Sequence, residues 1–459
     1  AAKFGSDSSS TARSVQMDVP APVATEAADS DPNEATETTH NQDDYDMFSD
    51  SPAAGMDAEE GHGRTASRQA ILQGGGDAGI SNTNLQANWD DGEGYYLARP
   101  GEVIGKQYRT LRSIGKGVFS TVLECIDMGG VGEGMEVDEG APRVAVKLIR
   151  NNDVMRKAAE KEISILTSLS VAASGSSDAK LDKTDSATAN KVEHYVVGLL
   201  SFFEHRRHTA LVFPLMNMNL RETVKKYGSS EGINIGAVRL YAKQLFCALQ
   251  HMAHHGVVPA DIKPDNILVS SDLKTVRVCD FGSAFRENEP NAAEPTPYLC
   301  SRFYRSPEVI LGLPYDRRLD QWSVAVCLSE CFTGEVLFPG ATNNDMLRRM
   351  MDCMGAFPPK LLRAHQRSYD HLELESHFTD DLDFKHVEMD RHSGRPLCRV
   401  LRIREPVAPP LSQMDMSELT ATDVALVKLL ADLLRKCLQL DPKRRIALAA
   451  CDRHALFQL

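Results

Sequence analysis

The chain has 459 residues, of which 42% are hydrophobic and 25% charged, and its formal net charge at pH 7 is −13. That mix is ordinary for a soluble protein, and the length suits two or three domains or one large two-lobed domain with a tail. No apolar run approaches the roughly 20 residues of a membrane span, and ten cysteines without a C-x-x-C pair fit a reducing compartment.

The charge is unevenly placed. Residues 1–98 hold 18 acidic and 4 basic side chains, whereas the remainder holds 46 and 47. The opening residues, AAKFGSDSSS, have no apolar core, so no secretory signal is expected; the missing initiator Met points to a fragment. Low hydrophobicity with one-sided charge predicts disorder over 1–87, because too little apolar area is buried to offset chain entropy. Its densest stretch, DDYDMFSDSP (43–52), reads as a solvated tail or as a docking segment phosphorylated at Ser49 or Ser51. From residue 88, Trp89, Tyr95 and Tyr96 open an extension, 88–107, expected to pack on the domain that follows. The Gly- and acid-rich 128–142 and the Ser/Ala/Asp-rich 172–191 predict surface loops.

Chemistry-bearing residues begin at Gly115-Lys116-Gly117-Val118-Phe119-Ser120, between alternating apolar residues that include Val122. This reads as strand, tight turn, strand: either a plain hairpin or a loop whose N–H groups close over phosphates. The run Val144-Ala145-Val146-Lys147-Leu148-Ile149 places a Lys inside a β-rich apolar stretch. It either points to solvent at an edge or faces phosphates with a carboxylate partner, since an unpaired buried charge is costly. Glu162 is the candidate partner, on a helix predicted over Ala158–Leu169 and capped from 151–153.

Helical spacing over 237–252 ends at His255-Gly256, and the loop Pro259-Ala260-Asp261-Ile262-Lys263-Pro264-Asp265-Asn266 follows. Asp261, Lys263 and Asn266 form a compact polar set that can hold a base, a phosphate partner and a metal ligand together. A second short strand leads to Asp280-Phe281-Gly282, placing another carboxylate beside Asn266.

These four pieces in this order resemble the protein-kinase signature set over about 108–457. The resemblance implies an α+β, two-lobed fold: a small β-rich N-lobe (108–215) and a larger helical C-lobe (216–457), preceded by the disordered acidic tail. It also implies a Ser/Thr protein kinase using ATP and Mg2+. Gly115, Lys116, Gly117, Val118, Phe119, Ser120, Val122, Ala145 and Lys147 would contact ATP, with Phe213, Leu215 and Met216 at the hinge. Glu162 would hold Lys147, Asp261 would act on the substrate hydroxyl with Lys263 beside it, and Asn266 and Asp280 would hold the metal. Asp320-x-Trp322-Ser323 would start the buried central helix, and Glu308 would pair with Arg445.

The stretch Tyr298-Leu299-Cys300-Ser301-Arg302-Phe303-Tyr304-Arg305-Ser306-Pro307-Glu308 is similar to the CMGC group. Within that group, NWDDGEGYY (88–96), VAVKLIRNND (144–153), MNLRETVKKYG (218–228), ADIKPDNILV (260–269), VCDFGSA (278–284) and LFPGATNNDMLRRMMDCMG (337–355) resemble the pre-mRNA processing factor 4 kinases. The dual-specificity Tyr-regulated kinases are the runner-up. The resemblance implies a group-specific insert at about 356–420, spliceosomal ribonucleoprotein proteins as substrates and a nuclear location; nothing in the sequence suggests an obligate oligomer, so a monomer is expected, with neither direct nucleic-acid nor membrane binding. A phosphate on Tyr298 would find Arg302 and Arg305 as partners; otherwise Tyr298 is a packed loop aromatic. Pro259 stands where such kinases carry a His, and Pro214 stands in the hinge. Both remove N–H donors, which leaves a catalytically weak kinase-fold scaffold as the alternative. Cys279 reads as a small buried residue rather than a reactive thiol.

Overall fold

A computed structural model describes residues 89–129, 141–171, 195–229, 231–289, 296–389, 395–403, 405–406, 411, 416–417 and 419–458. All belong to one compact unit spanning 47–459. The acidic tail with Ser49 and Ser51, and most of the loops expected at 128–142 and 172–191, lie outside the described residues.

The first lobe is a six-stranded antiparallel sheet with a helix against it. Strands β1 (Val103–Ile104), β2 (Tyr108–Lys116), β3 (Ser120–Asp127) and β4 (Arg143–Ile149) precede helix α1 (Asp153–Val171). Strands β5 (Ser201–His205) and β6 (His208–Pro214) complete the order β1-β2-β3-β4-β6-β5. The register sets Val122 opposite Lys147 and Ala145 opposite Phe213. Helix α1 starts five residues before the predicted Ala158, because the Asn152 carboxamide accepts the Val154 N–H at 2.8 Å and opens the first turn there.

The chain then passes through Leu215 and Met216 to β7 (Met218–Asn219) and α2 (Leu220–Tyr227), whose start is a reciprocal capping box between Asn219 and Glu222. Helix α3 (Ile235–His254) is capped by Asn234 and stops where Gly256 turns left-handed at φ +64°. Short strands follow: β8 (Val257–Val258), β9 (Ile267–Val269), β10 (Val276–Val278) and β11 (Phe285–Arg286). β10, β9 and β7 pair as one small sheet, and β8 with β11 as another. These strands hold the polar loops at 259–266 and 279–284 side by side.

Beneath them, α4 (Pro307–Ile310) leads to α5 (Arg318–Thr333), in which every residue from Leu319 to Phe332 is buried. A helix apolar only on one side would lie at the surface; this one is the central post of the lobe. Helices α6 (Asn343–Met354) and α7 (Pro359–His371), the hairpin β12 (Phe384–Met389) and β13 (Pro396–Leu401), α8 (Ala421–Cys437) and α9 (Leu448–Cys451) surround it. No helix among the described residues is long and apolar enough to cross a membrane. The stretch after Gly355, expected as an insert, supplies α7 and the β12–β13 hairpin. It is pinned to the end of α4 through buried His365: Nδ1 donates to the Leu311 carbonyl at 3.0 Å, and Nε2 accepts the His377 N–H at 3.1 Å. Burial lowers the His365 imidazole to about 4 and that of His377 to about 3, so both stay neutral.

The Glu308–Arg445 pair forms. Arg445 Nη1 and Nη2 reach the two Glu308 oxygens at 2.7 and 2.6 Å, and the rest of the guanidinium donates to the Arg318 and Gln439 carbonyls. The guanidinium also lies 5.2 Å from the Trp322 ring, which stacks on Phe338. Removing one partner of such a pair strands the other charge in the interior. Arg445→Met should therefore lower the unfolding free energy by about 3–5 kcal/mol in urea titrations, and adding Glu308→Gln should recover part of the loss. A single-variant loss under about 1 kcal/mol would contradict this account.

Candidate active site

Three separate stretches of chain meet at Lys147. Its Nζ donates to both oxygens of Glu162, at 2.8 and 3.0 Å, and to Asp280 Oδ1 at 2.9 Å. The Lys147 side chain is 11% exposed and that of Glu162 3%, so the charges complete each other within the protein. Burial alone would lower the Lys147 pKa, but Glu162 and Asp280 outweigh it and hold the ammonium above its ordinary value. The same ammonium, against the opposing effect of burial, holds the Asp280 carboxyl below the usual carboxylate range. Asp280 sits at φ +60°, and its side chain is still 43% exposed.

The neighbouring loop is organised around Asp261. Its Oδ1 accepts the Ser301 N–H at 2.9 Å and hydroxyl at 2.7 Å. Its Oδ2 accepts from Asn266 Nδ2 at 3.2 Å and faces Lys263 Nζ at 3.0 Å. Lys263 also donates to Ser301 Oγ at 3.0 Å. Asn266 Nδ2 donates further to the Asp261 carbonyl at 2.9 Å, so the Asn266 amide nitrogen is committed and its oxygen remains for a cation. With the outward carboxylate of Asp280, this is an oxygen donor set of the kind that suits a hard divalent ion such as Mg2+. Carboxylate and carboxamide here fit that ion, and the Lys147 ammonium fits a polyphosphate.

The loop's backbone is anchored from below. Ala260 adopts φ +62°, unusual for a residue with a Cβ, and its N–H donates to Asp320 Oδ1 at 3.0 Å. Pro259, immediately before it, has no N–H, and Asp320 Oδ2 is buried without a hydrogen-bond partner. Burial pushes the Asp320 carboxyl well above the usual range despite the Ala260 N–H, and Asp261 and Glu287 add to the rise. Asp320 thus anchors the loop through one oxygen, at the Ala260 N–H, and the residue before Ala260 has no N–H to add.

Above Lys147, the β2–β3 turn runs over Gly115, Lys116, Gly117, Val118, Phe119 and Ser120, closed by the Gly117 N–H to the Ser120 carbonyl at 2.9 Å. A Cβ on Gly117 would meet nothing within 4 Å, so the turn opens on free space. Val118 and Phe119 are 51% and 47% exposed. Phe213 is buried against Ala145 in register, and Leu215 and Met216, half-buried, link the lobes. Pro214 closes β6, opposite Val144. Cys279 carries a thiol that burial holds well above its ordinary pKa, so it stays protonated.

In the activation segment, Arg302 and Arg305 reach main-chain carbonyls. Arg305 is buried and donates to the carbonyls of Tyr298, Leu299 and Cys300 and to Asn343 Oδ1. Arg302, also buried, donates to the Ala341 carbonyl at 2.7 Å. Arg305 is spent on shaping backbone, because Cys300 turns through φ +70° and its carbonyl takes the Arg305 Nη2 donor at 2.9 Å, whereas Arg302 reaches the segment before α6. Tyr298 is 39% exposed and meets Arg305 through its ring, at 5.7 Å, rather than through its hydroxyl.

Two groups of residues were not singled out in the sequence. One is Ser301, whose hydroxyl bridges Asp261 and Lys263. The other is the network in which Arg221 donates to both Asp265 oxygens, to Glu330 Oε1 and to the Tyr304 hydroxyl, which itself donates to Glu330 Oε2. A hydroxyl residue fixed seven positions before Glu308 was the available signal for the first; nothing local signalled the second.

Residues 183–457 match the family model described as protein kinase domain. The chain is 38% identical over 415 residues to serine/threonine-protein kinase prpf4B of Dictyostelium discoideum, covering 88% of this chain and 46% of that protein. It is 36% identical over 413 residues to serine/threonine-protein kinase prp4 of Schizosaccharomyces pombe, covering 90% and 77%. Dual specificity tyrosine-phosphorylation-regulated kinase 3 of Homo sapiens is 30% identical over 382 residues, covering 82% and 58%. The chain thus spans about half the length of the Dictyostelium relative and about three quarters of the yeast one. With lobes and polar loops arranged as described, this chain belongs to the protein kinase family, among the serine/threonine-protein kinases.

Proposed function

We propose that residues 108–457 transfer the γ-phosphoryl group of ATP to Ser or Thr hydroxyls of proteins, with 88–107 as an extension packed on the N-lobe and 1–87 as an acidic tail. The observation that carries this reading is the convergence of Lys147, Glu162 and Asp280 beside the hydrogen-bonded set Asp261, Lys263, Asn266 and Ser301. Phosphoryl transfer asks little covalent work of a protein; positioning and charge neutralisation do most of it. Lys147 grips phosphates while Glu162 keeps its ammonium in place. Asn266 and Asp280 offer oxygens to Mg2+, which supplies charge neutralisation when bound. Asp261 orients the acceptor hydroxyl and takes its proton, and Lys263 steadies the transferring group. In the chain as it stands, the Ser301 hydroxyl occupies the Asp261 oxygen that an acceptor hydroxyl would use, and so marks that position.

Asp261→Ala should lower kcat on a peptide substrate by at least about 10²-fold while leaving ATP binding intact; near wild-type turnover would sink the assignment. The spliceosomal reading rests on the segments that resemble the pre-mRNA processing factor 4 kinases, and with it go the nuclear location, the protein substrates and action as a monomer. A preference for Pro after the acceptor residue belongs to the same reading, with Arg302, Arg305 and the Tyr298 backbone shaping the groove. Rates on matched Ser-Pro and Ser-Ala peptides measure it, and equal rates count against it.

A second reading, a kinase-fold scaffold of weak catalysis, is favoured by Pro259 and the unsatisfied Asp320 oxygen. Pro259→His returns an N–H to the loop above Asp320. It should raise the unfolding free energy by about 1 kcal/mol, the net worth of one hydrogen bond, and raise turnover. Robust peptide phosphorylation by the unaltered chain would remove the scaffold reading, and an unchanged stability would show that Pro259 is fully compensated.

A further inference from the structure

Residues 89–97 form a strap that runs from the edge of the N-lobe to the turn over Lys147. One end is fixed by Trp89, whose ring lies 3.2 Å from the Arg206 guanidinium, and by Asp90. Asp90 Oδ1 meets His208 Nε2 at 2.8 Å, and Oδ2 accepts from Asn151 Nδ2 at 3.0 Å. His208 is fully buried, and its Nδ1 donates to the Ile149 carbonyl at 2.7 Å. Asp91 Oδ1 then accepts the N–H groups of Glu93 and Tyr95, which makes the strap's tip a closed turn. Gly94 turns through φ +85° at the point where its carbonyl accepts the Asn151 N–H at 2.8 Å.

At the tip, Tyr95 is buried and its hydroxyl donates to the Val118 carbonyl at 2.8 Å. Its ring packs under Lys116 Nζ at 4.3 Å and Arg150 at 4.9 Å. Asp91 Oδ2 reaches Lys116 Nζ at 3.5 Å. The Arg150 N–H adds a bond to the Phe119 carbonyl at 2.9 Å. A turn that is otherwise exposed is therefore held at its apex from outside its own hairpin. Because Val122 pairs directly with Lys147, the held turn stands just beyond the ammonium that would receive phosphates.

We propose that Tyr95 is a positioning residue: through the Val118 carbonyl, the 89–97 strap holds the Gly115–Ser120 turn in place for the phosphates of ATP. The proposal rests on the phosphotransfer reading above. Tyr95 acts through Val118, and its benefit is an ordering cost removed before the nucleotide arrives. That benefit belongs to ligands bearing phosphates and not to the nucleoside, which would lie at Ala145, Phe213 and Met216.

The test is Tyr95→Phe in the full chain, which deletes one hydroxyl and keeps the ring packing. Titrations with ATP and with adenosine, both with Mg2+, are compared by calorimetry. ATP affinity should fall by about three- to tenfold, the range for one neutral hydrogen bond, with adenosine affinity unchanged. The KM for ATP should rise by the same factor at constant kcat. Equal ATP affinity in variant and wild type would overturn the strap's role, as would a parallel loss for ATP and adenosine, which marks a merely structural contact. Wild-type chain that binds adenosine and ATP without phosphorylating any Ser/Thr peptide, while Tyr95→Phe still weakens only ATP, would overturn the phosphotransfer reading and leave the strap standing.

Discussion

A lysine ammonium cannot be taken from water alone, and the arrangement around Lys147 follows from that constraint. Its charge lies on a central strand, so the carboxylates that neutralise it must come from elsewhere in the chain. Glu162 arrives on α1 and Asp280 on the loop after β10, 15 and 133 residues away. Meeting at one nitrogen fixes α1 against the sheet and the second lobe's loop against the first. Losing either carboxylate would leave the other to carry the charge in a partly desolvated place.

The second lobe depends on a comparable device built from neutral and charged hydrogen bonds. Helix α5 is buried on all sides, yet it carries Asp320, Gln321, Ser323 and Glu330. Each has its own partner group: Asp320 the Ala260 N–H, Gln321 the Ile446 carbonyl, Ser323 the Tyr304 carbonyl, and Glu330 the Arg221 guanidinium and the Tyr304 hydroxyl. A purely apolar post could rotate or slide at little cost. This one sets the height of the loop that carries Asp261 and of the segment that carries Ser301. Three polar atoms of this helix are left over, Asp320 Oδ2, Trp322 Nε1 and Ser329 Oγ, all buried without a hydrogen-bond partner.

Much of the site was legible because its residues cluster in short runs. Lys147 stood out in an apolar strand, and Asp261, Lys263 and Asn266 fell within six positions, so type and spacing sufficed. The central helix was readable from the resemblance at Asp320-x-Trp322-Ser323, all three of which are buried. What stayed hidden was assembled by tertiary contact. Ser301 bonds Asp261 across 40 positions, Tyr95 reaches Val118 across 23, and Arg221 joins Glu330 across 109. The main-chain partners of Arg305 at Tyr298, Leu299 and Cys300 were equally invisible, because they depend on the left-handed turn at Cys300 rather than on residue type. Helix α1 began early because a side-chain cap, rather than apolar periodicity, decides where a first turn opens.

The cysteines acquire a use from where the fold leaves them. All ten are free, and Cys398, on β13, is the exposed one. Cys279, beside Asp280, keeps its proton because burial disfavours the thiolate. A maleimide dye added at neutral pH is therefore directed to the hairpin and away from the phosphate-facing cleft. Cys398 thus offers the most accessible attachment point for a fluorescent reporter, one that watches the β12–β13 hairpin.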